Sequence, residues 1–133
     1  MTPERGLLDT SVIIAIESGR PVDYGAFPLQ HSVCSISIGE LHLGIHTAPD
    51  AETRSIRIGT LEAMAGLNLL SVDSAAAAHW GRLRFRLKEA GRRINVNDLW
   101  IASVALAHNL PVITQDEDFG VLVGLGGPTV VMV

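Results

Sequence analysis

Four acidic residues stand where short apolar or extended runs give way to helical patterns. Asp9 follows Leu7-Leu8, and Glu40 comes one helical turn after Ile36-Ser37. Asp98 follows Ile94-Asn95-Val96-Asn97, and Asp116 follows Val112-Ile113-Thr114. An acid at a helix start is favoured by the helix dipole alone. Ser37 to Glu40 and Thr114 to Glu117 also have the spacing of capping boxes. Four acids in the same setting point further, because Asp9 interrupts an apolar run that a mere cap would not need to break. Brought together, two such charges about 4 Å apart repel by roughly 4 kcal/mol at an effective dielectric of about 20. A hard divalent cation with oxygen ligands relieves that repulsion, and Mg²⁺ or Mn²⁺ suits carboxylates. An acid cluster without cysteine ligands argues against structural zinc.

Other candidates carry less chemistry. His42 and His46 share a helical spacing but lack the glutamate of the HExxH pattern, and read as ordinary surface or groove histidines. Ser11 has no His and Asp partners for a nucleophilic triad. Gly124, Gly126 and Gly127 lack the Lys-Ser/Thr pair of a phosphate loop and read as a turn before the last strand. Trp80 and Trp100 sit on helical stripes and are expected to face the core. The single cysteine, Cys34, lies inside an apolar run and is expected to be a buried thiol, in keeping with a reducing, cytoplasmic setting.

The elements that must position the acids follow from periodicity. Strands are expected from Leu7-Leu8, Val33 to Ile36, Leu69 to Val72, Pro111 to Ile113 and Val130 to Val133. Helices are expected over Val12 to Glu17, along Ile38, Leu41 and Ile45, over residues 51–65, from Ser74 through Trp80, Leu83 and Leu87, and from Asp98 to His108. Strands this short and apolar, alternating with helices, predict an α/β fold with a parallel sheet covered on both faces. Such sheets bind ligands beyond the carboxyl ends of their strands, which is where the four acids fall.

The 133 residues fit one domain, 1–133, large enough to bury a core without staples; 47% are hydrophobic and 18% charged. No export signal or membrane span is visible in the sequence. The formal net charge of −4 argues against coating nucleic acid by bulk charge. The cations are uneven, however: Arg82, Arg84, Arg86, Lys88, Arg92 and Arg93 lie within one short stretch. That stretch reads as a solvated helix face, a docking site for an acidic partner, or an RNA-phosphate patch, with Arg82 and Arg86 as the candidate contacts.

The segments Asn97 to Ala105 and Leu110 to Phe119 resemble the C-terminal half of PIN-domain nucleases, and more closely the VapC toxins of bacterial toxin–antitoxin pairs. Leu8-Asp9-Thr10-Ser11-Val12-Ile13-Ile14 is similar to the family's first motif and Ser35 to Leu41 to its second. The ordered set spans essentially the whole chain. The resemblance implies a three-layer α/β/α fold with a mostly parallel sheet. It also implies an Mg²⁺- or Mn²⁺-dependent endoribonuclease, a homodimer and a VapB-type antitoxin partner. Asp9, Glu40 and Asp98 match the three acids common to the family, and Asp116 the more variable fourth, with Asp118 an alternative. Thr10, Ser11 and Thr114 add hydroxyls near such a site. The rivals fit less well. A phosphatase of the haloacid dehalogenase type wants a second aspartate where Ser11 stands, and a phospho-acceptor receiver wants a lysine after the strand ending at Thr114. A non-catalytic acidic interaction domain is the third.

Overall fold

The computed structural model describes residues 2–133. Five strands form one sheet in the order β3-β2-β1-β4-β5. They are β1 Arg5–Leu8, β2 Gln30–Cys34, β3 Asn68–Leu70, β4 Val112–Thr114 and β5 Val130–Met132. All four pairings are parallel, with Leu7 opposite both Ser32 and Val112. The helices are α1 Thr10–Ser18, α2 Ser35–His46, α3 Ala51–Ala65, α4 Ser74–Ala90 and α5 Val96–Ala107, with short 3-10 turns at Tyr24–Ala26 and Glu117–Leu122.

Side chains alternate across a strand, so neighbours face opposite layers. Leu7, Cys34 and Val112 join Ala76, Leu83 and Leu87 of α4 and the buried stripe of α5 in one core. Leu8, Val33 and Ile113 join Val12 and Ile13 of α1, Leu41 of α2, and Leu61 and Met64 of α3 in the other. These two cores make the three layers. Cys34 is fully buried, and burial pushes its thiol pKa up, as expected of an inert core thiol. At Gly6 an added Cβ would sit 2.6 Å from Ile113 Cγ1, so the centre of the sheet closes only over a glycine.

Several boundaries move from the sequence reading. The second strand ends at Cys34, and Ser35 and Ile36 open α2 instead, because a short apolar run does not separate a strand end from a helix start. Thr114 belongs to β4, whereas Pro111 precedes it. Helix α5 starts at Val96, capped by the Asn95 side chain on Asn97 N–H, which places Asp98 inside the first turn. Neither expected capping box forms. The N-cap of α2 is Cys34, without a side-chain cap bond, and Ser37 lies against Thr10 instead. Trp80 and Trp100 stack on each other, with centroids 5.0 Å apart and planes 17° from parallel, and both are only partly buried. No described helix is long and apolar enough to cross a membrane.

Candidate active site

Parallel pairing brings the C-terminal ends of β1, β2 and β4 to one edge, and the chemistry-bearing residues follow from there. Asp9, the residue after β1, is 2% exposed and does not cap α1 with its side chain. Its Oδ2 instead accepts from Ser11 Oγ at 2.6 Å and from Thr114 Oγ1 at 2.8 Å. A buried carboxylate needs such donors, since leaving it bare in a low-dielectric interior is costly. Each hydroxyl also takes a backbone N–H: Gln115 N to Ser11 Oγ at 3.1 Å, and Asp116 N to Thr114 Oγ1 at 2.9 Å. The end of β1 and the turn after β4 are thereby tied into one network.

Glu40 stands in the second turn of α2. Its Oε1 accepts from Thr10 Oγ1 at 2.7 Å, which links it to the start of α1. Asp116 caps the following 3-10 turn, its Oδ1 accepting from Asp118 N at 2.9 Å. Phe119, with no exposed surface, anchors that turn in the core. Burying a side chain of that size contributes about 1.5–3 kcal/mol and fixes the neighbouring Asp118.

Three carboxylates meet: Asp98, Asp116 and Asp118 each offer an oxygen, and these oxygens lie within 4.8 Å of one another. The carboxyl of Asp98 is pushed up to about 7, first by burial, then by the charges of Asp9, Asp116, Glu40 and Asp118. The charges of the four other acids thus converge on Asp98. The tight triad draws on Asp118, which the sequence reading held in reserve, while Asp9 and Glu40 border it.

A cleft of about 610 Å³ opens beside Asp116 and Asp118, lined also by Ser11, Arg20, Gln115 and Glu117. Arg20 Nε donates to Gln115 Oε1 at 2.8 Å and its Nη2 to the Ser11 carbonyl at 3.1 Å. Sequence reasoning missed Arg20, Gln115 and Ser37. A cation two residues past a helix end gives no local sign that it returns to the helix start. None of the five histidines lines this cleft, and His42 and His46 are exposed on α2.

The basic stretch divides. Arg86 Nη1 donates to the Leu125 carbonyl at 2.9 Å, and Arg82 Nη1 reaches the Gly126 carbonyl at 3.4 Å. Gly126, at φ 80°, is approached so closely that an added Cβ would lie 2.5 Å from Arg86 Nη1. Arg82 and Arg86 thus hold the loop before β5.

With this topology and site in view, the chain belongs to the PIN-domain family, whose model matches residues 6–124. Within it, the chain is 46% identical over 132 residues, 99% of this chain and 98% of that protein, to Ribonuclease VapC5 of Mycobacterium tuberculosis. It is 34% identical to Ribonuclease VapC4 of the same organism, over 92% and 94% of the two chains. Among solved structures, the VapBC-5 toxin–antitoxin crystal structure from Mycobacterium tuberculosis superimposes with a TM-score of 0.87 at 42% identity, covering 98% of each chain. A VapBC2 structure from Rickettsia felis matches at 0.80 with 20% identity, covering 96% of this chain and 98% of that one, a likeness of fold. Neither the phosphatase nor the receiver reading is favoured by these relatives.

Proposed function

We propose that residues 1–133 act as one nuclease unit, a metal-dependent endoribonuclease serving as the toxin of a VapBC-type pair. The observation that carries it is the Asp98–Asp116–Asp118 cluster at the carboxyl edge of a parallel sheet, in a chain 46% identical to a protein named a ribonuclease. The donor set suits a hard cation: oxygen ligands only, with one carboxyl driven toward protonation first by burial and then by its acidic neighbours. Asp98, Asp116 and Asp118 would hold Mg²⁺ or Mn²⁺, with Asp9 and Glu40 completing the negative surround. When bound, such an ion supplies Lewis-acid stabilisation of a phosphodiester and a more acidic water.

The chain's own residues supply position. Ser11 and Thr114 fix the Asp9 carboxylate, Thr10 orients Glu40, and the cap from Asp116 to Asp118 N–H sets the spacing of that pair. With no histidine lining the cleft, cleavage through the 2′-hydroxyl by a pair of imidazoles has no partner there. Hydrolysis by water is favoured and leaves 5′-phosphate and 3′-hydroxyl ends. Preference for RNA then rests on binding and shape rather than on the 2′-hydroxyl as a nucleophile.

The solved VapBC relatives support a VapB-type antitoxin as partner; a homodimer and a cytoplasmic setting complete the reading. The test incubates the purified chain with a labelled single-stranded RNA and Mn²⁺, with EDTA and Asp98→Asn as controls. Products with 5′-phosphate ends that vanish in both controls support the reading. Intact RNA, or a persistent 2′,3′-cyclic phosphate, refutes it.

A further inference from the structure

Between the end of α4 and the start of α5 lies a second groove, of about 610 Å³, whose cations are Arg84, Lys88, Arg92 and Arg93. We propose that this groove is an RNA subsite, holding the phosphates of the single strand on one side of the link that lies at the carboxylates. It rests on the reading of the chain as a ribonuclease, and it moves the RNA contacts from Arg82 and Arg86 to a different face of the same helix.

The first support is helical phase. Arg84 and Lys88 are four residues apart on α4 and share a face. Arg82 and Arg86 share another and are engaged with the carbonyls of the 125–126 loop. Arg84, Lys88 and Arg93 are exposed within the groove.

The second is continuity with the acids. Val96 and Leu99 line the groove, and Asp98 stands between them in the first turn of α5. Arg92 Nη1 donates to the carbonyls of Val121 at 3.1 Å and Val123 at 2.9 Å, which ties the groove to the segment that begins with Asp116. The groove is therefore built on α5, which also carries Asp98, and is bonded to the segment that carries Asp116 and Asp118, although no residue lines both sites. A strand with one phosphate at the acids must continue over a neighbouring surface. In a chain of net charge −4, this is where four cations gather.

The third is the lining. Trp80, Leu87 and Leu99 give the groove an apolar side, and Trp80 is held by its stack on Trp100. Bases rest on aromatic and apolar surfaces with little sequence preference. An acidic peptide would meet the same charges, but nothing requires it to reach the carboxylates, whereas the RNA strand must.

The test uses the full chain carrying Asp98→Asn, so that RNA stays intact. A fluorescein-labelled single-stranded RNA is titrated by anisotropy across a salt series, with tryptophan emission followed in parallel. The only tryptophans are the stacked pair beside the groove. Adding Arg84→Glu, Lys88→Glu and Arg93→Glu together should weaken binding by about tenfold or more. It should also flatten the log–log salt slope by about two, at about 0.7 per phosphate contact on a single strand. The change in tryptophan emission on RNA addition should disappear. Arg54→Glu, an exposed charge on α3, should shift affinity by less than about twofold. If the triple variant does not fold, Arg84→Ala and Lys88→Ala alone should each weaken binding by about threefold.

Unchanged affinity and slope would overturn the proposal, as would an equal loss from Arg54→Glu, which signals bulk charge only. A triple variant that keeps RNA but loses a poly-glutamate peptide would assign the groove to a protein partner instead. Failure of the nuclease reading shows separately, as RNA left whole by the wild-type chain with Mn²⁺.

Discussion

The Thr114 hydroxyl donates to Asp9 Oδ2 at 2.8 Å across 105 residues of chain, and Thr114 Oγ1 itself accepts the Asp116 N–H at 2.9 Å. One fully buried side chain thus sets the first acid against the fourth. Thr114→Val keeps the shape and removes both bonds. It leaves buried polar groups unpaired at about 1–3 kcal/mol. A lowered denaturant midpoint, with RNA cleavage reduced at least tenfold, is the expected outcome. Equilibrium unfolding and a cleavage assay check it.

Asp98→Asn should separate stability from function. Removing the partly buried charge of Asp98, which four other acids oppose, raises the melting temperature of the metal-free protein at pH 8, while cleavage falls at least a hundredfold. Adding Mn²⁺ should lift the melting temperature of the wild type and hardly move the variant's, since only the native wild-type site binds it. Calorimetry with and without EDTA reads both effects. A variant that melts below the wild type without metal would contradict the repulsion.

The pH dependence has a definite sign. Asp98 titrates near 7 in the folded chain and near the ordinary aspartate value, about 3.9, when unfolded. The folded state therefore binds its proton more tightly. This group's contribution is fully present below about pH 4 and is lost as pH rises toward 7. In the same window the ion competes with that proton, so Mn²⁺ should stabilise the protein more at pH 8 than at pH 5.5. Paired melting curves test this, and an equal shift at both pH values would oppose it.

Asp116→Asn and Asp118→Asn should both lose a charge without losing the turn. Asparagine still caps a helix start, so Asp116→Asn keeps the turn and loses a charge. Asp118→Asn gives up its charge with no cap at stake, leaving that turn wholly intact. Each should weaken Mn²⁺ binding by isothermal titration, and the double variant should abolish it. Full Mn²⁺ affinity in the double variant would move the ion away from this pair.

The layered fold and the acid positions were legible because both are local patterns. Leu7-Leu8 broken by Asp9 marks a strand end facing something polar, and the α5 stripe of Leu99, Ile101 and Ala102 marks a buried helix. Asp118 was legible only as an alternative to Asp116; that both join Asp98 was not, since it depends on a 3-10 turn anchored by Phe119 rather than on periodicity. Arg20 and Gln115 pair across 95 residues, and no spacing rule reaches that far. The basic stretch was visible as charge, but a helix shows several faces. Only the packed loop at Leu125 and Gly126 reveals which face carries Arg82 and Arg86 and which is left for Arg84 and Lys88.

The strand order also sets a timetable. β1, the centre of the sheet, is made well before its β4 neighbour, with β2, β3 and five helices translated in between. Until then β1 can pair only with β2, and its other edge stays open. Asp9 waits for Thr114, and the carboxylate cluster lacks Asp116 and Asp118. Contacts of such long sequence separation form late. A nascent chain therefore cannot assemble the carboxylate cluster until the segment after β4 has been translated.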